Sequence, residues 1–331
     1  MNAHVRWGIL STANIGRAAV IPAIQASGNG KVVAVASRDE RRAKDFAGAN
    51  GIATAYGTYE ALLEDPGVDA IYLPLPNSMH LPWTVRAVEA GKHVLCEKPL
   101  AMDAAQCREM AAAADRAGVL LMEAFMYRFH PRTEHVVRMA REGAVGPVRI
   151  MRSSFTFRLT NPDNIRLSAR LGGGSLMDVG CYCVNVIRTV MGEEPAEVQA
   201  TANWAASGVD QELVAILRFE NGAVAHFDSS LTTERREFYE VSGPDGTLVV
   251  EDAFLPGTDH VEIEVHRGRR EGETLRIPGA DEYQVMVEHF GDCVLHGRPL
   301  RYAPEEAALN MAVIEALYTS ARSGGGPVAL G

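Results

Sequence analysis

Two short segments of the chain carry side chains suited to moving a proton to or from an alcohol. Lys98 stands in a Glu-Lys-Pro run directly after an apolar stretch. Asp178 and Tyr182 lie four residues apart in a second segment, so on a helix they share one face. A free phenol titrates near ~10, too high for an efficient base, but a nearby cation such as Lys98 would lower its pKa. We therefore predict Lys98, Tyr182 and Asp178 as catalytic groups, with Asp178 binding a substrate hydroxyl or orienting Lys98.

The elements that must position Lys98 are short apolar strands that alternate with helices. The strands are rich in Val, Ile, Leu and Ala and lack the alternation of half-exposed strands, which is typical of buried parallel sheets. Helices with visible caps separate them, such as the one that Asp103 begins and Gly118 ends. The pattern predicts a doubly wound parallel sheet with helices on both faces. The predicted strands cover residues 5–10, 31–37, 69–73, 93–96 and 119–122.

The turn after the first predicted strand is a variant of a dinucleotide-binding fingerprint. Residues 11–16 read S-T-A-N-I-G, so Ser11 and Ala13 occupy the first two positions of G-x-G-x-x-G, and only Gly16 remains. Small residues still let the backbone approach a phosphate, and Ser11 could donate a hydrogen bond to it. A tight turn without a ligand is the alternative. The predicted cofactor contacts are Ser11, Thr12, Ala13, Asn14 and Ile15.

The end of the second predicted strand favours NADP over NAD. An acidic residue that binds the ribose hydroxyls of NAD is expected there, but the chain has Ser37 and Arg38, followed by Asp39. A hydroxyl and a guanidinium suit a ribose 2′-phosphate. In the alternative interpretation, Asp39 caps the next helix and the nearby Arg41 and Arg42 form a solvated face. We predict Ser37 and Arg38 as cofactor contacts, with NAD still possible.

Three motifs resemble one known family over essentially the whole chain. They are P-L-P-N-S-M-H at residues 74–80, E-A-G-K-H-V-L-C-E-K-P-L at 89–100 and G-G-G-S-L-M-D-V-G-C-Y at 172–182. Together they are similar to the glucose-fructose oxidoreductase and inositol dehydrogenase family (Gfo/Idh/MocA). Tyr182 and the run M-E-A-F-M-Y-R-F-H-P resemble its sugar-dehydrogenase branch, since many other members have His at the position of Tyr182.

The resemblance implies an N-terminal Rossmann domain and a C-terminal domain with an open-faced sheet for substrate binding and subunit contact. It implies that Lys98 lies next to the nicotinamide and the substrate hydroxyl, in a site between the domains. Arg128 is expected to contact the cofactor or the substrate, and Phe157 to line the sugar pocket together with Lys98, Asp178 and Tyr182. The strand-end loops add further expected cofactor contacts: Pro74, Leu75, Asn77, His80, Glu97 and Lys98.

The second half of the chain has a different pattern from the first. Longer strands with alternating polar and apolar positions are predicted at residues 148–158, 197–204, 211–219, 223–232 and 238–242, with a hairpin at Asn221-Gly222. Helices are predicted at 133–142, 281–296 and 304–323, followed by a frayed tail. The fold class is therefore α/β: a Rossmann domain over residues 1–123, and over 124–331 an α+β domain with a large, mostly antiparallel open-faced sheet.

The resemblance and the residues together imply an NAD(P)-dependent oxidoreductase that acts on a sugar or cyclic polyol. The most specific expectation is an NADP-dependent D-xylose or D-glucose 1-dehydrogenase. A reductase of a keto-sugar of the anhydrofructose type and a dihydrodiol dehydrogenase are alternatives. A cofactor-binding regulatory protein without turnover is an alternative of another class.

Composition excludes several other classes of function. Of the 331 residues, 32 are Lys or Arg and 42 are Asp or Glu, and a net charge of −10 argues against nucleic acid and anionic membranes as partners. The five cysteines have neither disulfide-framework nor zinc spacing, and the N-terminal residues lack an apolar signal region. We therefore expect a cytoplasmic protein that binds no metal. The open-faced sheet further indicates a homodimer or homotetramer that forms through the C-terminal domain.

Overall fold

The computed structural model describes residues 4–268 and 271–330, and its packing divides the chain into two units. Residues up to Met126 together with Asp281–Ala308 form the first unit, and Tyr127–Ala280 together with the residues from Leu309 onward form the second. This division differs from the predicted single domain boundary after residue 123, because the helix that begins after residue 281 packs on the first unit. Its Phe290 lies against Trp7 of the first strand, with the ring centroids 5.4 Å apart. Burial of this aromatic surface stabilises the packing of the helix on the first unit, although the residues on either side of the segment 281–308 belong to the second unit.

The first unit contains a six-stranded parallel sheet in the order β3-β2-β1-β4-β5-β6. The five predicted strands are all present. The additional strand, β3, has only three residues, too few to show a pattern in the sequence. The strand order reverses between β1 and β4, and ligands of open α/β sheets bind at the carboxyl ends of strands at such a point. The strands are β1 (Val5–Leu10), β2 (Gly30–Ala36), β3 (Thr54–Tyr56), β4 (Ala70–Leu73), β5 (His93–Cys96) and β6 (Leu121–Glu123).

The helices of the first unit begin at the caps expected from the sequence. The Asp39 carboxylate accepts the backbone N–H of Arg42 at 2.9 Å, and Asp103 accepts that of Gln106 at 2.7 Å. A π-helical turn, Gly16–Val20, runs directly into the first α-helix. Numbered in chain order, the helices are α1 (Ile21–Ala26), α2 (Glu40–Asn50), α3 (Tyr59–Leu63), α4 (His80–Glu89), α5 (Ala104–Ala117) and, after the second unit's α6 and α7, α8 (Glu282–His296).

The second unit contains a nine-stranded sheet in the order β14-β13-β12-β11-β7-β10-β9-β8-β15. Its neighbours pair antiparallel except β7 and β10, which are parallel. The five predicted strands and the turn at Asn221-Gly222 are present. The strands are β7 (Ile150–Thr156), β8 (Glu197–Trp204), β9 (Asp210–Arg218), β10 (Val224–Ser230), β11 (Arg236–Gly243), β12 (Gly246–Glu251), β13 (Val261–Arg267), β14 (Glu271–Ile277) and β15 (Val328–Ala329).

Two features of the second unit differ from the expectation. The prediction of a frayed tail was wrong, because Val328 and Ala329 pair with β8 and so protect the edge of the sheet. The strands β12, β13 and β14 were not predicted, although the alternating residues of β13, V-E-I-E-V, are a strand signal. The remaining helices are α6 (Pro131–Arg141), α7 (Cys181–Met191) and α9 (Glu305–Arg322).

One face of the nine-stranded sheet is covered and the other is open. In β9, Leu213, Ala215 and Leu217 are buried, whereas the alternate residues Val214 and Ile216 are 50% and 37% exposed. The open-faced sheet expected from the sequence is thus present. Within the described residues, no helix combines the length and the apolar character needed to span a membrane.

Candidate active site

The turn between β1 and the first helix is shaped by Ser11. Its φ of +151° lies in the region that favours glycine, which is why the usual fingerprint has glycine at this position. The Ser11 hydroxyl accepts the backbone N–H of Ala13 at 3.1 Å and donates to the carbonyl oxygen of Pro74 at 3.2 Å. It therefore joins the ends of β1 and β4, whereas the sequence suggested a donor to a phosphate. The open N–H groups of the helix that follows can bind an anion.

A surface cavity of about 530 Å³ adjoins this turn, and three of its lining residues are arginines. Its two carboxylates are already engaged: Asp39 caps α2, and Asp45 lies 4.0 Å from the Arg41 guanidinium. The Arg41 side chain is 92% exposed. The cavity is lined by Thr12, Ala13, Asn14, Arg17, Asp39, Arg41, Arg42, Asp45 and Phe46.

Two arginines converge on Tyr59 beside the start of α2. Burial raises the pKa of the Tyr59 phenol, and the positive charges of Arg38 and Arg42 oppose that rise. Arg42 lines the cavity, whereas Arg38 does not. Both side chains are exposed, so their guanidinium groups are accessible to an anionic ligand.

His80 connects the two strand-end loops of the first unit. The imidazole is fully buried, with Nε2 at 2.8 Å from the carbonyl oxygen of Leu75 and Nδ1 at 3.0 Å from that of Pro99. Burial lowers the pKa of His80. A neutral imidazole carries one N–H, so in that form the ring donates to one of the two carbonyl oxygens and packs against the other. His80 was predicted as a cofactor contact, and the structure places it inside the protein as a tie between loops.

The Glu-Lys-Pro motif begins at the carboxyl end of β5. The Glu97 carboxylate accepts a hydrogen bond from the Tyr72 hydroxyl at 2.6 Å, which anchors the motif to β4. The Lys98–Pro99 peptide bond is cis. Lys98 is half-buried, and Asn77 lies in the short helical turn of the neighbouring loop. The ends of β1, β4 and β5 thus bring most of the predicted cofactor contacts to one edge of the first sheet.

In the second unit, Asp178 and Tyr182 lie on two turns of one continuous helical segment. Asp178 belongs to a π-helical turn, Leu176–Gly180, that runs directly into α7, which carries Tyr182. The Tyr182 ring is nearly buried, with its centroid 5.4 Å from that of Phe155 and 5.3 Å from that of Phe254. This aromatic packing fixes the ring and leaves few positions for the phenol oxygen.

Asp178 is paired with an arginine that the sequence analysis did not single out. The Nε of Arg166 donates to Oδ2 of Asp178 at 2.5 Å, and its guanidinium carbon lies 5.8 Å from the centre of the Phe157 ring. Phe157 was predicted to contact the substrate. Here it is half-buried beneath Arg166.

A buried aspartate, Asp210, holds the start of this helix. Its carboxylate accepts hydrogen bonds from the Ser175 hydroxyl, the Leu176 backbone N–H and the Tyr318 hydroxyl, each at 2.7 Å. Burial raises its pKa, and these hydrogen bonds oppose that rise. A side chain on Gly174 would place its Cβ 2.1 Å from Oδ1 of Asp210. The partners lie 34 to 108 residues away from Asp210, so no local sequence pattern could have indicated this role.

The predicted contacts at the start of the second unit are mainly internal. Arg128 is 5% exposed in the helical turn Met126–Phe129. His130 caps α6, because its Nδ1 accepts the backbone N–H of Arg132 at 3.0 Å. Burial and the neighbouring Arg132 charge lower the pKa of His130 to about 4.

Comparison with known proteins agrees with this geometry. Residues 5–125 match the model of an oxidoreductase family with an NAD-binding Rossmann fold (GFO/IDH/MocA), and residues 133–249 match its C-terminal domain. The NADP-dependent D-xylose 1-dehydrogenase 2 of Haloferax volcanii is 42% identical, over 96% of this chain and 98% of that protein. The trans-1,2-dihydrobenzene-1,2-diol dehydrogenase of Xenopus laevis is 38% identical, over 88% of this chain and 90% of that protein.

A solved structure shows the same fold over nearly the whole chain. It is KijD10, a 3-ketoreductase from Actinomadura kijaniata in complex with NADP and TDP-benzene. The two chains superpose with a TM-score of 0.91 and 32% identity, over 96% of this chain and 98% of that one. The chain therefore belongs to the Gfo/Idh/MocA family and is an NAD(P)-dependent oxidoreductase.

Proposed function

We propose that this oxidoreductase is an NADP-dependent dehydrogenase that oxidises an aldose, D-xylose or D-glucose, at C1. The observation that carries the proposal is the Asp178–Tyr182 segment, a carboxylate and a packed phenol on one helix. Its similarity over 96% of the chain to a D-xylose 1-dehydrogenase supports the choice of substrate. Lys98 in the Glu-Lys-Pro motif is the third proposed catalytic residue.

Each residue has a separate role in this reaction. A bound nicotinamide supplies the acceptor for the hydride that leaves C1. Tyr182 accepts the proton of the C1 hydroxyl, so that the aldose loses two electrons and two hydrogens and becomes a lactone. Lys98 supplies positive charge that favours loss of this proton, and Asp178 accepts a hydrogen bond from a second sugar hydroxyl. Phe157 and Arg128 are further proposed contacts.

The cofactor preference follows from Ser37, Arg38 and Arg42, which we propose as the residues that bind the 2′-phosphate. Arg38→Ala and Arg42→Ala should each lower the ratio of kcat/KM with NADP to that with NAD by about tenfold or more, because each removes a charge-assisted hydrogen bond. Arg108→Ala is the matched control, since Arg108 is an exposed arginine of α5 that does not line the cavity. An unchanged ratio in both test variants would argue against this assignment.

The decisive experiment is an assay of nicotinamide absorbance with NADP or NAD and a panel of aldoses, polyols and dihydrodiols. Rapid NADP reduction with a pentose or hexose is expected. Tyr182→Phe should lower kcat by about 10²- to 10⁴-fold, the usual worth of a general base. Tyr302→Phe, a half-exposed tyrosine of the first unit, is the control. Turnover retained in Tyr182→Phe would remove Tyr182 from this role.

A second candidate is reduction of a keto-sugar, in which the same residues act in the opposite direction and Tyr182 donates the proton. The similarity to the 3-ketoreductase KijD10 favours it. Tight NADPH binding without oxidation of any aldose, together with reduction of a keto-sugar, would establish this activity instead.

We also infer how the chain is organised and where it acts. Cofactor binding is assigned to residues 1–123, and substrate binding and subunit contact to residues 124–331. Val214 and Ile216 on the open face, with the 55%-exposed Ile150, favour a homodimer or homotetramer through this sheet. Light scattering with Val214→Glu, compared with wild type, tests this association. A cytoplasmic location fits the cysteines, since no disulfide joins any of the five, all of which lie in the described residues.

A further inference from the structure

Arg166 contacts the proposed catalytic machinery of the second unit directly. Its Nε donates to Oδ2 of Asp178 at 2.5 Å, and this charge-assisted hydrogen bond is shorter than a neutral one. The Arg166 side chain is 39% exposed and that of Asp178 is 13% exposed, so the pair lies at the protein surface but is largely covered on the Asp178 side. The contact spans twelve residues of sequence and joins the loop at residues 157–171 to the helix start.

The backbone of Arg166 is fixed as firmly as its side chain. Its N–H donates to Oδ1 of Asn164 at 3.0 Å, and its carbonyl oxygen accepts the N–H of Gly174 at 2.9 Å. A Cβ at Gly173 would lie 2.3 Å from the Arg166 carbonyl oxygen, so glycine is needed for this close approach. Together with the Phe157 ring beneath the guanidinium, these contacts give Arg166 a defined place next to Asp178.

This geometry has a consequence for the state of Asp178. A guanidinium remains charged at any pH at which the enzyme works, and it favours the ionised form of a carboxylate beside it. An ionised carboxylate has about four acceptor positions, so it can accept Arg166 and a substrate hydroxyl together. The ion pair also limits rotation of the carboxylate, so its second hydrogen bond has a set direction.

We propose that Arg166 is a positioning residue that holds Asp178 ionised and directed at a hydroxyl of the substrate. Through this pair, the loop at residues 157–171 sets the specificity for polyhydroxylated substrates. The inference rests on the proposed role of Asp178 in the sugar dehydrogenase reaction. It goes beyond that role because it assigns the orientation of Asp178 to a residue of another element.

The kinetic test compares Arg166→Ala and Arg166→Lys with Arg170→Ala, an exposed arginine of the same loop. Arg166→Ala should lower kcat/KM for the aldose by about 10- to 100-fold, the cost of a misplaced catalytic group. Arg166→Lys should recover part of this loss, because it restores the charge without the planar geometry. Arg170→Ala should stay within about twofold of wild type, and the Kd for NADP should be unchanged in all three variants.

A double-mutant cycle shows whether Arg166 acts through Asp178. In an Asp178→Asn background, Arg166→Ala should lower kcat/KM by less than about threefold further, because the partner is already lost. Effects that multiply in the double variant would overturn the proposal, as would an Arg166→Ala variant that behaves like Arg170→Ala. If Arg166→Ala does not fold, Arg166→Gln keeps the stem of the side chain and takes its place in the cycle.

The same four proteins give a test that is independent of activity. The shifts in Tm of Arg166→Ala and Asp178→Asn should not add in the double variant if the two side chains form one pair. If the wild-type enzyme turned over no sugar, the proposed function would be wrong. The Tm cycle would still show whether Arg166 and Asp178 form an ion pair. Fully additive shifts in Tm would instead show that Arg166 and Asp178 do not form a pair, whichever substrate the enzyme uses.

Discussion

The two helices that carry the candidate site begin alike but are held in different ways. Each contains a π-helical turn near its start, Gly16–Val20 in the first unit and Leu176–Gly180 in the second. Ser11 holds the first turn through backbone atoms, the N–H of Ala13 and the carbonyl oxygen of Pro74. Asp210 and Arg166 hold the second through their side chains. The first turn is thus fixed by one hydroxyl of its own, whereas the turn that carries Asp178 is fixed by the side chains of two residues from other elements.

Of the predicted substitutions, replacement of Asp210 should have the largest effect on the free energy of unfolding. Asp210→Ala removes the acceptor of three donors, two of them buried, and should lower the free energy of unfolding of the second unit by about 2–5 kcal/mol. Asp210→Asn is the matched control, since its amide can still accept at one atom and donate to Tyr318. Urea unfolding followed by Trp204, which packs near Tyr318, measures the loss. Equal stability of the two variants would contradict the assigned role.

In the first unit, loss of the buried His80 side chain should lower the free energy of unfolding by somewhat less. His80→Leu leaves the carbonyl oxygens of Leu75 and Pro99 without the imidazole and should destabilise the first unit by about 1–3 kcal/mol. It should also weaken NADP binding, because both loops lie at the edge of the sheet that is proposed to bind the cofactor. Calorimetry and fluorescence titration measure the two effects, with the exposed His296→Leu as control. Unchanged NADP affinity would mean that the loops do not depend on His80.

Substitutions at Ser11 should have smaller effects that separate backbone strain from hydrogen bonding. Ser11→Gly and Ser11→Ala both lose the hydroxyl, but only alanine must still adopt a φ of +151°. Ser11→Ala should therefore be less stable than Ser11→Gly by about 1 kcal/mol or more. Thermal unfolding of the two variants and wild type measures the difference. The reverse order would show that the turn relaxes in the variants.

A further predicted effect is a pH dependence of stability at His130. Its folded-state pKa is about 4, below the unfolded value near 6.5, so the unfolded chain binds a proton more readily. Stability from this residue is present above about pH 6.5 and falls as the pH drops toward about 4. His130→Asn keeps a capping side chain and should show a smaller loss of Tm over this interval. Parallel Tm profiles for the two proteins would argue against the lowered pKa.

The parts of the site that follow from backbone geometry could be predicted from the sequence. The ends of β1, β2, β4 and β5 were indicated by apolar runs, and the Ser11 turn and the Glu-Lys-Pro motif follow two of them directly. Asp103 and Asp39 were identified as caps because capping depends on neighbours three residues away. Arg42 is exposed, which agrees with the interpretation of a solvated face, and its charge lies near Tyr59 of α3.

By itself, the amino-acid sequence determined most of the strand and helix pattern of the two sheets, and it indicated the turn after β1 as a proposed cofactor site and Lys98, Asp178 and Tyr182 as proposed catalytic groups. These depend on residue type and on periodicities of two to four residues. Only the tertiary structure decided that α8 joins the first unit, that Asp178 pairs with Arg166 and that Asp210 holds the helix start. Those contacts join residues 12 to more than 100 positions apart, and side-chain packing in three dimensions selects among partners that no local pattern distinguishes.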